Sequence, residues 1–401
     1  VHFAKNQEGI LGFITNHGYL DNPTFRGMRW HLMDTFDSIY VIDLHGNAKK
    51  KEVSPDGTKD ENVFAIQQGV SIILAVKTGK KGKGVLANVY RHDVYGKQKI
   101  KFENLDNSSL ENIEWERLDL RKPNFFFAQE GSRDLEEEYQ KSFSVADLFK
   151  EKTSGFVTAK DSLNIAFTKK EIERHLYDLQ NMQEIEFRDK YEAPKDSRDW
   201  QYLNARNDSR DIIDAKFHIA DYRPFDSRFT YYTGKSRGLY ASPQQKIMNH
   251  FISHENLGIM ICRQQKTEGF RHVLVHKNIV ESSYVSNKTS EIGSSFPLYL
   301  YTDYNEKIIN LDRGIWDEIN KTAGETTPED ILDYIYAVLH SPNYREKYKE
   351  FLKIDFPRIP YPENAESFKK LVTLGRELRE LHLMESPKVN NFITIFPESG
   401  T

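Results

Sequence analysis

A chain of 401 residues, 38% apolar and 29% charged, is long enough for two or three domains with ample core. Its net charge of −4 excludes a globally basic nucleic-acid binder while leaving local basic patches open, and the single Cys262 excludes an internal disulfide framework or a Cys-rich zinc site. No apolar run approaches the ~18 residues that span a bilayer and no signal-peptide pattern opens the chain, so the expected setting is a reducing cytoplasm with no membrane partner.

Gly9 to Asn16 (Gly-Ile-Leu-Gly-Phe-Ile-Thr-Asn) reads as a buried parallel strand running into a helix, with Asn22 as N-cap and Pro23 as first helical residue. Phe25, Met28, Leu32, Met33 and Phe36 follow at helical spacing. Ser38 to Leu44 is a second strand, and a polar loop from His45 to Asn62 carries Lys49, Lys50, Lys51 and a Pro55-Asp56-Gly57 turn. Val63 to Lys77 reads as a third strand bent at Gly69; Gly79 to Gly84 reads as a hairpin loop into a fourth, Val85 to Tyr95. A parallel strand needs neighbours on both sides, so residues 1 to 123 are expected to be the second half of an α/β domain whose first half lies upstream, ending in an antiparallel pair.

From Asn124 onward the pattern is mixed α+β. Helices are expected around Ala146 to Lys152 and Lys169 to Gln183, a long exposed loop over Asp189 to Arg210, and strands at Lys216 to Ala220, Arg228 to Tyr232, Leu257 to Cys262 and His272 to Val275. From about Thr327 the chain is helical: Thr327-Pro-Glu-Asp330 is a capping box, Ser341-Pro342 stops that helix, and Phe368 to Glu385 forms another.

Several short runs, in one order along nearly the whole chain, resemble a known enzyme group. They are Gly9 to Asn16, Pro23-Thr-Phe-Arg-Gly-Met-Arg29, Ile42-Asp-Leu-His-Gly-Asn47, Asp60 to Val70, Tyr222-Arg-Pro-Phe-Asp-Ser-Arg228, Met260-Ile-Cys-Arg-Gln264, Phe296-Pro-Leu-Tyr-Leu-Tyr301, Tyr334 to Pro342, Asp355-Phe-Pro-Arg-Ile-Pro360 and Leu381 to Glu385. Together these are similar to the large single-chain type ISP restriction-modification enzymes and related fused type II enzymes. The resemblance implies the C-terminal half of a Rossmann-like adenine-N6 methyltransferase sheet in residues 1–123, then a target-recognition domain in 124–401. It implies duplex DNA as partner, together with the upstream methyltransferase half and, in the parent, nuclease and translocase domains. It also implies S-adenosylmethionine as the parent's cofactor, held mainly by the upstream half, and a chain that transfers no methyl group alone. No N-P-P motif occurs, and Gly79, Gly82 and Gly84 stand in a lysine-rich hairpin rather than at a strand-to-helix turn.

Among candidate site residues, Lys80, Lys81, Lys83 and Arg91 lie with Lys77, Lys97, Lys99 and Lys101 on one hairpin and its exit, and either contact phosphates or form a solvated tip. The resemblance assigns Phe64 to stacking on a flipped adenine, whose N6 is unreachable inside a duplex; an ordinary core Phe is the competing reading. Arg228, with Tyr231 and Tyr232, and Arg263 with Gln264 combine residue types that read guanine and adenine edges or wedge between bases; an Arg–Asp pair holding a turn competes for Arg223 and Asp226. His250 and His254 lack a third ligand, and no catalytic, cofactor-binding or metal residue is assigned. A subunit-docking scaffold and an RNA-binding or RNA-modifying relative are the alternative functions, the latter because rings and local basic loops also suit unstacked bases.

Overall fold

The computed structural model describes residues 8–48, 53–128, 131–263, 269–286, 291–353 and 355–394. The chain divides into two units, Val1–Glu138 and Tyr139–Thr401. Both mix helix and sheet, so the expected α/β class holds, and no helix is long and apolar enough to cross a membrane.

The first unit is built on a five-stranded sheet. Its members are β1 (Gly9–Asn16), β2 (Ser38–Asp43), β3 (Val70–Lys77), β4 (Asn88–Asp93) and β5 (Glu116–Arg117), in spatial order β1-β3-β2-β4-β5. Alternation along β2 and β3 sends Ile39, Val41, Ile73 and Ala75 to one face, where they bury Leu32 and Met33 of helix α1 (Arg26–Thr35) and Phe36 just after it. On the other face Ile42 and Ile72 pack near Leu105 of helix α2 (Gln98–Asp106), and Tyr40 stacks on Tyr90 with ring centroids 5.1 Å apart.

Several expectations need correction here. Only β2 and β4 run parallel; β1 pairs antiparallel with β3 at the sheet's edge, and Ile10, Phe13 and Ile14 are exposed rather than buried. A strand with a neighbour on one side keeps part of its apolar surface open. Strands β3 and β4 are not a hairpin pair, because β2 lies between them. The third strand begins only at Val70, since residues 63–69 form bends. Helix α1 also turns differently from its apolar pattern: Phe25 and Met28 are exposed while Arg29 is fully buried. Arg29 hydrogen-bonds three carbonyls, of Asn124, Tyr19 and Asn22, which offsets part of its desolvation. Asn124 thus lies inside the first unit.

The second unit carries β6 (Thr153–Ser154), helices α3 (Lys169–Asn181), α4 (Glu184–Tyr191) and α5 (Tyr202–Asp208), and strands β7 (Phe217–Arg223), β8 (Asp226–Tyr231), β9 (Gly258–Cys262), β10 (Val273–His276), β11 (Ile279–Val280) and β12 (Gly293–Pro297). One sheet has the order β10-β9-β12-β6, with every pairing antiparallel; another has β8-β7-β11, in which β11 runs parallel to β7. Helices α6 (Arg313–Ala323), α7 (Pro328–His340), α8 (Pro342–Lys347) and α9 (Ala365–His382) complete it. The region 189–210 is not one long exposed loop: α4 ends in it at Tyr191 and α5 begins at Tyr202, and the segment between them is anchored by buried Trp200, with Phe187 and Tyr202 buried on the flanking helices and the Arg188 guanidinium 5.1 Å from the Trp200 ring. The Thr327 capping box forms as expected, its hydroxyl accepting from the Asp330 amide at 3.1 Å.

Candidate nucleic-acid interface

In the first unit, β2 and β4 end side by side on Asp43 and Asp93, and the carboxyl ends of parallel strands are where open α/β sheets gather ligands. A buried network fills that edge. Asp43 pairs with His17 Nδ1 at 3.0 Å and Arg91 Nη2 at 2.8 Å, while Asp93 pairs with His45 Nε2 at 2.7 Å and with Arg91. Arg91 Nη1 donates to the Phe127 carbonyl at 2.6 Å. Burial alone would raise the Asp43 carboxyl, but the His17 hydrogen bond and the charges of His45 and Arg91 hold it well below the usual carboxylate range. Asp93 is lowered in the same way, against its burial, by His45 and Arg91. Arg91 is therefore a structural pivot: only 5% exposed and paired twice, it presents no charge to a phosphate, which corrects its reading as a DNA contact.

The segment 62–69 is tied to the same edge. Asn62 Nδ2 donates to the carbonyls of Gly46 at 3.1 Å and Gln68 at 2.7 Å, and Asn62 Oδ1 accepts from the Phe64 amide at 2.9 Å. Two glycines make the close approach possible: a Cβ on Gly46, at φ +79°, would stand 2.5 Å from Asn62 Cα, and one on Gly69 would stand 2.3 Å from the His17 ring. Phe64 emerges from this stapled loop 46% exposed, outside the strand expected to carry it and outside the core.

The basic loop between β3 and β4 divides its lysines. Lys80 and Lys83 are exposed. Lys81 instead closes the end of α1, its ammonium donating to the carbonyls of Met33, Asp34 and Phe36 at 2.7, 2.8 and 2.6 Å, as a cation at a helix C-terminus does. Lys101 is fully buried, with its ammonium 2.8 Å from Asp60.

In the second unit, the turn between β7 and β8 builds a surface of rings and guanidinium groups. Arg228 lies flat over Phe167, 3.6 Å from the ring centre, and 5.3 Å from the Tyr222 ring, while Arg223 covers Tyr222 at 3.8 Å. Asp226 accepts from Arg228 Nε at 2.6 Å and Nη2 at 2.7 Å; Arg223 pairs with Glu281. The turn-holding Arg–Asp pair therefore uses Arg228, not Arg223. Phe167, under the half-buried Arg228, is 68% exposed, and Phe225, at φ +60° in the turn, is 60% exposed with its ring edge-on to His382. Phe167 escapes the sequence reading because exposed and buried Phe look alike in one sequence. Its only hint is the N-cap Thr168 that follows it.

Tyr231 and Tyr232 do not belong to this surface. Both are buried, their hydroxyls donating to the carbonyls of Asp211 at 3.0 Å and Pro243 at 2.7 Å, so neither can wedge into DNA without unfolding its strand. Arg263 is exposed and pairs with Asp355 at 2.8 Å; Gln264 falls outside the described residues. His254 stacks on Tyr301 with centroids 3.9 Å apart, and His250 Nδ1 accepts from the Tyr301 amide, which accounts for both histidines without a metal.

A family model described as the Type ISP C-terminal specificity domain matches residues 147–401. Among solved structures, a DrdV–DNA complex aligns over 94% of this chain and 38% of its own, at 23% identity and a TM-score of 0.53. The ATP-dependent Type ISP restriction-modification enzyme LlaBIII bound to DNA aligns over 94% and 25%, at 22% identity and 0.52. A nuclease-deletion mutant of the Type ISP enzyme LlaGI with a DNA substrate mimic aligns over 94% and 30%, at 22% identity and 0.50. These identities establish a shared fold, and the chain spans well under half the length of each neighbour. No curated protein matches it.

Proposed function

The chain belongs to the Type ISP C-terminal specificity domain family, and from that premise we propose that it reads the base sequence of duplex DNA for a site-specific adenine-N6 methyltransferase with restriction activity. The observation that carries this reading is the family match itself, because residues 147–401 contain the whole Phe167–Tyr222–Arg228 surface. Its chemistry suits base-edge reading: Asp226 fixes Nε and Nη2 of Arg228, and the ring beneath holds the guanidinium plane, leaving Nη1 to meet a guanine edge. That the neighbours of similar fold are DNA complexes supports the same partner.

Under this proposal the first unit supplies part of a methyltransferase domain, and Phe64 stacks on the flipped adenine from its stapled loop. The remaining methyltransferase half, a nuclease and a translocase would be partners, with S-adenosylmethionine as the enzyme's cofactor. Gly79, Gly82 and Gly84 lie between two strands rather than opening a helix, so they do not fit a cofactor turn.

The test is selection of bound duplexes from a randomised library by the purified chain at ~0.1 M salt, where electrostatic binding is partly screened. One recurring motif is expected. Arg228→Ala should cost ~1–3 kcal/mol of discrimination at one position of that motif. An unchanged motif and affinity in both Arg228→Ala and Phe167→Ala would remove this surface from the reading, and absence of DNA binding would return the scaffold alternative.

A further inference from the structure

Two clusters of metal-ligating side chains occur among the described residues: His17 with Asp43 and His45, and Cys262 with His272 and Glu291. The first is already engaged with a cation, because Arg91 holds Asp43 at 2.8 Å and a metal ion would have to face that guanidinium. The second is different in kind. Its three ligand atoms, a thiol sulfur, an imidazole nitrogen and a carboxylate oxygen, all lie within 4.8 Å of one another.

The sheet brings them together. Cys262 ends β9, the strand between β10 and β12. On one side its amide meets the His272 carbonyl at 3.4 Å, directly before β10. On the other side Cys262 is opposite Gly293 of β12, and Glu291, two residues earlier, returns to the same face by strand alternation. Gly293 must lack a side chain, since a Cβ would stand 2.5 Å from Met260 Cε. Cys262 and Glu291 are 1% and 4% exposed, and His272 Nδ1 hydrogen-bonds the Glu291 carboxylate. The residues are ten and nineteen apart in sequence, a spacing that matches no zinc motif, so only the fold reveals the set.

We propose that Cys262, His272 and Glu291 form a Zn2+ site that clamps the ends of three neighbouring strands, with water as the fourth ligand. One thiolate, one imidazole and one carboxylate is a donor set for a borderline-soft tetrahedral ion, and bonds of ~2.0–2.3 Å need ligand atoms roughly 3.5 Å apart, so the hydrogen-bonded His272 Nδ1 and Glu291 carboxylate must part slightly as the ion enters between them. A divalent cation takes cysteine as the thiolate, so uptake at this site releases a proton.

The tag-free full chain, stripped with chelator, is titrated with Co2+ and then with Zn2+ in competition. The expected result is stoichiometric Co2+ uptake with a thiolate-to-cobalt charge-transfer band and intense visible bands of tetrahedral cobalt, displaced by Zn2+, and a melting temperature raised by Zn2+. Cys262→Ser should abolish the charge-transfer band, and Glu291→Gln should weaken Zn2+ by roughly tenfold or more. Wild-type chain that takes up no Co2+ overturns the proposal. So does uptake without the charge-transfer band, which would place the ion away from Cys262. The wild-type spectrum decides the matter even if a variant fails to fold.

Discussion

His340, in the last turn of α7, donates Nδ1 to the Tyr336 carbonyl at 2.9 Å, and burial, aided by the charges of Arg345 on α8 and His382 on α9, lowers its pKa from 6.5 to about 4. The unfolded chain then takes up a proton at a higher pH than the folded one. His340 therefore contributes fully above about pH 6.5, and its contribution is lost as pH falls toward 4, a loss of about 3 kcal/mol. Unfolding free energies measured at pH 7 and pH 4.5 should fall less steeply in His340→Gln than in wild type; equal slopes would show that the imidazole titrates normally. Single residues of this kind were invisible in the sequence, as were the actual roles of Arg91, Tyr231 and Tyr232. Residue type signals what a group is able to do, whereas burial decides whether it faces DNA or a carbonyl. Phe64 and Arg263 are exposed and Arg228 is half-buried, so burial leaves these three as candidates while it removes Arg91, Tyr231 and Tyr232.

Elements show a cleaner division. Those announced by local chemistry match the expectation: Asn22 before Pro23, the Thr327 box and the β-branched run of β2 all sit where side-chain-to-backbone rules place them. Those defined by neighbours do not. Helices α4 and α5 depend on Phe187, Trp200 and Tyr202, three aromatics without regular period, and the order β3-β2-β4 separates strands that a short glycine-rich loop seemed to join. The α7–α9 pair is likewise a long-range product. Asp333, fully buried on α7, receives Arg379 of α9 at 2.6 Å, and Gly375 of α9 lies so close that a Cβ would stand 1.9 Å from the Asp333 carbonyl oxygen. Gly375→Ala should thus cost at the upper end of ~1–3 kcal/mol, because backbone rather than a flexible side chain must give way. Gly324→Ala, at a position with nothing within 4 Å but φ +85°, is the comparison: its cost is backbone strain alone and should be smaller. Urea midpoints for the two variants test this, and a Gly375→Ala protein as stable as wild type would refute the close packing.

At the scale of the whole molecule, 56 basic and 60 acidic side chains leave a net charge of −4, so any affinity for DNA must come from placement rather than from bulk charge. In the first unit's basic loop, Lys80 and Lys83 face solvent, while Lys81 is committed to α1 and Arg91 to the buried network. The log–log slope of DNA affinity against salt should accordingly be shallow. Replacing Lys80 and Lys83 together by Ala should reduce it by about 2, near 0.9 for each phosphate no longer neutralised, whereas Lys81→Ala should leave the slope unchanged and lower the melting temperature. A slope insensitive to the double substitution would remove this loop from the interface.

The position of β1 bears on how samples of this protein are expected to age. Among the described strands it is the last of its sheet, extended over eight residues, with Ile10, Phe13 and Ile14 turned to water. An extended edge pairs with another backbone whatever its sequence. Encounter of two such edges is a bimolecular event, so turbidity should grow with the square of protein concentration while the fold of each molecule is still intact. Dilution, rather than cooling, is then what slows the association.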